Sequence, residues 1–104
     1  MDQRKTRRFA LELPLSITRS GSERVVHAGR TKNISSSGVL FTSRAEPDLG
    51  GPIEYVIALN QDGPHVVNLR CIGKVVRSER MPDDATHTFE VAATLERYEF
   101  VRGR

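Results

Sequence analysis

Four cationic side chains stand close together at the start of the chain, in the stretch RKTRRF at residues 4–9. Arg4 and Arg8 have the spacing R-x-x-x-R, with Lys5 and Arg7 between them. A planar guanidinium group can bond a phosphate, or the O6 and N7 edge of guanine, through two parallel hydrogen bonds. In an irregular arm, this spacing lets two arginines reach different faces of one polyanionic ligand. Clustered charge also solvates chain ends, and a solvated tail is therefore the competing interpretation.

A second group of polar residues follows at NISSSG, residues 33–38, which reads N-x-S-x-x-G. The Asn33 amide can both donate and accept hydrogen bonds, and Ser35 adds a hydroxyl. Gly38 has access to positive φ, which predicts a turn whose backbone N–H groups converge on an anion. The alternative is an ordinary polar turn in which Asn33 and Ser35 bond their own backbone.

Cys71 is the one side chain that suggests nucleophilic chemistry, with His27, His65 or His87 as a base. However, Cys71 falls on the apolar face of an alternating pattern. Buried cysteines commonly act as small core residues. We therefore interpret Cys71 as part of the core.

Asp83, Asp84 and His87 could hold a metal in one loop, but no fourth ligand stands in register with them. A solvated turn is the simpler interpretation. The sequence also has no glycine-rich phosphate loop, no nucleophile elbow and no carboxylates paired on one strand. We expect a protein that is not an enzyme and that needs no metal or cofactor.

The elements that must position these residues are strands. Alternation of apolar and polar residues, together with a short apolar run at residues 39–43, predicts six strands. They lie at residues 11–18, 24–34, 39–43, 53–59, 66–79 and 88–96. Gly73 predicts a bulge in the long fifth strand. Only LERYEFVR, at residues 95–102, could form a helical turn. Six short strands without an amphipathic helix are typical of a small antiparallel barrel or sandwich.

Length and composition place these strands in a single domain of 104 residues. Hydrophobic residues make up 38% and charged residues 28%, values typical of a globular chain with only a mildly basic charge of +3. We expect a mobile arm at residues 1–9 and one domain at residues 10–104. A single cysteine excludes an intrachain disulfide, and Glu12 and Pro14 interrupt the only signal-peptide-like stretch, which favours a cytoplasmic protein.

The two polar motifs, taken in order, resemble those of the PilZ domain, the bacterial receptor for the second messenger cyclic di-GMP. R-x-x-x-R stands just before the first strand, and N-x-S-x-x-G follows about 25 residues later at a strand end. The L-x-L-P-L pattern at residues 11–15 and GG-x-I at residues 50–53 extend the resemblance over nearly the whole chain.

This resemblance implies a six-stranded antiparallel barrel with a flexible N-terminal arm that wraps over ligand on the outer surface. It implies that Arg4 and Arg8 hold guanine and phosphate, and that Lys5 and Arg7 add to the positive electrostatic field around the ligand.

It likewise implies that Asn33, Ser35 and Gly38 form the strand-end motif that meets guanine and the arm. The family more often has Asp where this chain has Asn33. The amide keeps an acceptor oxygen but loses the charge that would pair with guanine or with an arm arginine.

The implied function is a receptor that orders its arm around cyclic di-GMP and thereby acts on an unidentified effector protein, without membrane insertion. One alternative is a small RNA-binding barrel, although 6% aromatic residues and no tryptophan offer little for base stacking. The other is a degenerate relative that binds no nucleotide and serves as a protein-interaction adaptor.

Overall fold

A computed structural model describes residues 11–60, 66–81 and 88–103. The predicted arm with Arg4, Lys5, Arg7 and Arg8 lies outside the described residues. The same holds for the loop residues His65, Asp83, Asp84 and His87, so the expectations for these positions stay predictions.

The described chain forms seven antiparallel strands. They are β1 (Pro14–Ser20), β2 (Glu23–Ile34), β3 (Gly38–Ser43), β4 (Pro52–Asn60), β5 (Val66–Arg80), β6 (Phe89–Thr94) and β7 (Arg97–Gly103). The pairing order is β4-β1-β2-β3-β6-β5, and a further pairing of β4 with β5 closes the barrel. The predicted six-stranded antiparallel barrel is confirmed.

The core is the inward-facing half of each alternating pattern, as the period of two requires. Phe41 and Tyr55 are completely buried, with ring centroids 5.6 Å apart. The Tyr55 hydroxyl donates a hydrogen bond to the Thr94 carbonyl at 3.1 Å, which satisfies the polar end of the ring. The other buried apolar residues are Leu15, Ile17, Val39, Ile53, Ile57, Leu69, Cys71, Val75, Val91 and Ala93.

Gly73 has a different role from the predicted bulge. The bulge of β5 lies between Val75 and Arg77. At Gly73 a Cβ atom would lie 1.8 Å from the Thr94 carbonyl oxygen. Only glycine therefore fits where β5 turns past the end of β6.

The C-terminal segment corrects a second expectation, because residues 97–103 form strand β7 and not a helical turn. β6 pairs with β5 only from Val75 onward, and β7 continues along the same edge from Ile72 back to Val66. Edge pairing on β5 thus outweighs a weak helical tendency. The described ranges contain no helix, and hence none that is long and apolar enough to cross a membrane.

Candidate functional site

A cleft of about 240 Å³ lies on the outer face of the barrel, across β2, β3, β6 and β5. Its floor is one row of laterally paired residues. Asn33 pairs with Leu40, Leu40 with Ala92, and Ala92 with Arg77. Three strand spacings separate the ends of this row, about 14 Å between the Asn33 and Arg77 backbones.

Two β-bulges turn the ends of the row outward. In β2, Thr31 pairs with Phe41, but the next pairing skips Lys32 and joins Asn33 to Leu40. In a regular strand, Lys32 would pair with Leu40, and Asn33 would lie opposite Val39 and face the core. The bulge therefore places the Asn33 amide on the outer face.

The β5 bulge does the same for Arg77. Val75 is buried opposite Ala93, and the next pairing skips Val76 and joins Arg77 to Ala92. In a regular strand the guanidinium would be directed at the core, where an unpaired charge is strongly unfavourable. Sequence analysis did not single out Arg77, because the alternating pattern does not show where a bulge occurs.

The cleft combines an apolar floor with polar walls. Leu40 and Ala92 supply the floor, and Val76 adds an apolar side chain that is 58% exposed. Ser35, Ser37 and Thr94 add hydroxyl groups along one side. An apolar floor with few polar groups suits the face of a flat heterocycle.

Ser35 bonds the backbone of its own turn. Its hydroxyl accepts hydrogen bonds from the amides of Ser37 and Gly38 at 3.3 and 3.2 Å. The Ser35 amide donates to the Gly38 carbonyl at 2.9 Å. Ser35 therefore forms the ordinary polar turn that the sequence offered as the alternative to anion binding. These hydrogen bonds stabilise the loop beside Asn33.

Asn33 differs from Ser35, because its side-chain amide has no hydrogen-bond partner among the described residues. It is half-buried at the end of the cleft. Both its donor and its acceptor are therefore available to a ligand.

The expectation of a positive φ at Gly38 is wrong. Within the described ranges, the glycines with positive φ are Gly21 and Gly50, both in turns. Gly38 instead begins β3, where a Cβ atom would lie 2.9 Å from the Ala93 carbonyl oxygen. The glycine is required for close strand approach and not for a left-handed turn.

Two cationic side chains near the cleft, Lys32 and Arg77, differ in whether a carboxylate pairs with them. Lys32, at the β2 bulge, forms an ion pair with Glu90 at 2.6 Å. Arg77 has no ion-pair partner among the described residues. Within the described part of the cleft, Arg77 therefore carries a positive charge that no carboxylate neutralises.

Thr31 fixes the chain that precedes β1 next to this site. Its hydroxyl is completely buried, accepts a hydrogen bond from the Leu13 amide at 2.8 Å and donates one to the Leu11 carbonyl. The Thr31 amide also donates to the Leu13 carbonyl at 2.9 Å. Because the two segments run antiparallel, Leu11 lies toward Asn33. The described part of the chain therefore begins at the Asn33 end of the cleft.

Cys71 is a core residue, as predicted. It is completely buried, and burial raises the pKa of its thiol to about 12. A catalytic cysteine requires the opposite shift, toward the thiolate. Among the described residues, no three His, Cys, Asp or Glu side chains are grouped to hold a metal ion.

Two comparisons with known proteins bear on this site. Residues 2–99 match the protein family described as the PilZ domain. This range includes both polar motifs and every strand up to the first part of β7. A comparison with curated proteins gives no match.

Proposed function

Because the chain belongs to the PilZ domain family, we propose that it is a receptor for cyclic di-GMP, bound in the cleft between Asn33 and Arg77. The observation that carries the proposal is the outward row on the barrel. Among the described residues, it places an amide without a hydrogen-bond partner at one end, a guanidinium without an ion-pair partner at the other and apolar side chains between them. In this proposal the receptor works in the bacterial cytoplasm and acts on an effector protein.

The groups of the cleft match the chemistry of a guanine dinucleotide. The Asn33 amide can accept from guanine N1–H or N2–H and donate to a ring acceptor. Leu40, Ala92 and Val76 offer apolar contact to a purine face. Arg77 can bond a phosphate, or the O6 and N7 edge of the second guanine, through two parallel hydrogen bonds.

Chain length permits the arm to complete the site. Arg8 lies three positions before Leu11 in the sequence, which allows at most about 10 Å of extended backbone between them. Arg4 lies seven positions before Leu11, and the corresponding limit is about 25 Å. We propose that Arg8 closes on ligand near Asn33 and that Arg4 reaches farther along the cleft, with Lys5 and Arg7 contributing through their field.

The mechanism is ordering of the arm by ligand. Charge-assisted hydrogen bonds and stacking of guanidinium on purine offset the entropy lost when the arm is fixed. The ordered arm and the bound nucleotide then present a new surface over β2 and β3. This surface is what an effector would recognise.

Calorimetric titration with cyclic di-GMP, GTP and a short RNA tests the proposal. We expect cyclic di-GMP to bind most tightly, because only it presents two linked guanines and two phosphates to the arm and the cleft together. Equal binding of GTP and cyclic di-GMP would contradict the proposal. Tighter binding of RNA would favour the RNA-binding alternative, and binding of none would favour the adaptor.

The binding residues are tested by three arginine variants. Arg8→Ala and Arg77→Ala should each weaken cyclic di-GMP binding roughly ten- to hundredfold, the value of one bidentate contact. Arg24→Ala is the matched control, since Arg24 is exposed at the other end of β2, about 30 Å from Asn33. Loss of affinity in the control would point to a general charge effect and not to a site.

A further inference from the structure

The seventh strand presents an aromatic surface that the barrel does not cover. Tyr98 lies opposite Cys71 and Phe100 opposite Leu69, so both rings are on the core side of the sheet. Cys71 is completely buried and Leu69 is 9% exposed, yet Tyr98 is 60% and Phe100 67% exposed. The two rings contact each other edge to face, with centroids 6.3 Å apart. The face of the sheet that forms the barrel core at β5 is therefore exposed to solvent at β7.

One edge of β7 also lacks a partner among the described strands. β7 is the terminal strand of the sheet order and pairs only with β5. Alternate residues of β7 therefore direct N–H and C=O groups away from β5. An unpaired edge that carries exposed aromatic side chains is the surface to which another strand adds most readily.

The opposite face of β7 is already occupied by an ion-pair network. Glu99 pairs with Arg70 at 2.9 Å, and Arg70 also pairs with Glu54 at 2.9 Å. The hydrogen bonds with Glu54 and then with Glu99 raise the pKa of Arg70. The charge of Glu99 is thus neutralised by Arg70 of the same chain. The aromatic face of β7 is the one available to a partner.

The sequence of β7 is complementary to itself. In an antiparallel pair of two β7 strands centred on Phe100, the two Phe100 rings face each other. Tyr98 of each strand then faces Arg102 of the other, a favourable cation–π pair. Centring on Glu99 would instead place two carboxylates opposite each other, which is unfavourable. The register centred on Phe100 therefore pairs the whole of Arg97–Gly103 and joins aromatic and cationic groups without placing like charges opposite each other.

We propose that this chain forms a two-fold symmetric homodimer through antiparallel pairing of β7 with β7 of a second copy. Edge pairing joins the two sheets and brings four aromatic rings into one continuous row. The aromatic row is the part of the interface removed from water, and the backbone pairing sets its register. The pairing uses neither the cleft nor Thr31, and it is independent of nucleotide binding.

Analytical ultracentrifugation of the full chain over a range of concentrations tests the dimer. Wild type should sediment as a dimer that dissociates on dilution, and Phe100→Lys should be monomeric, because two cations would meet at the two-fold axis. Val26→Lys is the control, since Val26 is 85% exposed on β2 and should leave the dimer intact. A wild type that stays monomeric at every concentration would overturn the proposal.

Oxidative cross-linking tests the register. Residues facing each other in an antiparallel pair have Cα atoms about 4.5–5.5 Å apart, within disulfide range. Phe100→Cys should therefore give a covalent dimer, whereas Glu99→Cys should not, because its counterpart is displaced along the strand. The native Cys71 is buried and should give little background. A cross-link at position 99 and none at 100 would overturn the proposed pairing.

Discussion

Among single residues, Thr31 fixes to the barrel the residues that directly follow the predicted arm. A hydroxyl at this buried position is unusual in a core that is otherwise mainly apolar. Its two bonds hold Leu11 and Leu13, and the adjacent bulge turns Asn33 outward. One short segment of β2 therefore holds residues 11–13 in place and forms the polar end of the cleft.

Replacing Thr31 by valine keeps the shape of the side chain and removes both hydrogen bonds. We expect Thr31→Val to lower stability by about 1–3 kcal/mol, because the Leu13 amide and the Leu11 carbonyl lose their partner. Cyclic di-GMP affinity should fall roughly tenfold or less, since the arm no longer starts from a fixed point. Titration and hydrogen exchange at the Leu13 amide measure the two effects.

Thr31→Ser is the control for this change, because it retains the hydroxyl. It should recover most of the affinity and the protection of Leu13. Thr31→Val could speed hydrogen exchange at the Leu13 amide and still bind ligand as tightly as wild type. That result would show that the hydrogen bonds of Thr31 to residues 11 and 13 do not contribute to binding.

At the scale of strands, the crossing of β5 and β6 depends on Gly73. Gly73→Ala should destabilise the barrel by about 3 kcal/mol or more, because its Cβ atom would collide with a backbone carbonyl that cannot move aside. Urea denaturation followed by circular dichroism provides the measurement.

Gly21→Ala is the matched comparison. Gly21 has φ of 63° and nothing within 4 Å of an added Cβ, so the substitution should cost only about 1–2 kcal/mol of backbone strain. Equal losses in the two variants would show that the close approach at Gly73 is readily relieved.

Strand positions were predictable from the sequence because each buried face repeats every second residue. Residues 39–43 and 53–59 were placed within one residue of the observed β3 and β4. The Asn33 motif was recognisable from its residue types and N-x-S-x-x-G spacing at the end of a predicted strand. Arg77 was missed because its outward direction comes from a bulge, and a bulge is set by pairing with β6 and not by local pattern. The β7 strand was missed because its partner, the edge of β5, is distant in sequence.

At the scale of the whole molecule, the closed barrel places two ionisable groups in one core. Burial raises the pKa of Cys71 to about 12 from 9.0, and burial with a further effect of Cys71 raises the pKa of Tyr55 from 10.0. Both groups are mainly neutral below about pH 8, in the folded and the unfolded chain alike. As pH rises above 9.0 the unfolded thiol loses its proton while the folded thiol keeps it, so the free energy of unfolding must fall.

We therefore expect stability to decrease steadily from pH 9 to pH 11, with Tyr55 adding to the decrease above pH 10. Urea denaturation at pH 8, 9 and 10 measures the change. Cys71→Ala lowers the overall stability by loss of packing but should flatten the dependence between pH 9 and pH 10. The same slope in wild type and Cys71→Ala would exclude the thiol as its cause.

Hydrogen exchange of the wild-type chain with and without cyclic di-GMP is the decisive test of whether the arm and the outer cleft bind one ligand together. We expect ligand to slow exchange at residues 3–9 and at residues 33–38 in parallel, with the same dependence on ligand concentration. Unchanged exchange in residues 3–9 at saturating ligand would contradict joint binding, and RKTRRF would then be a solvated tail.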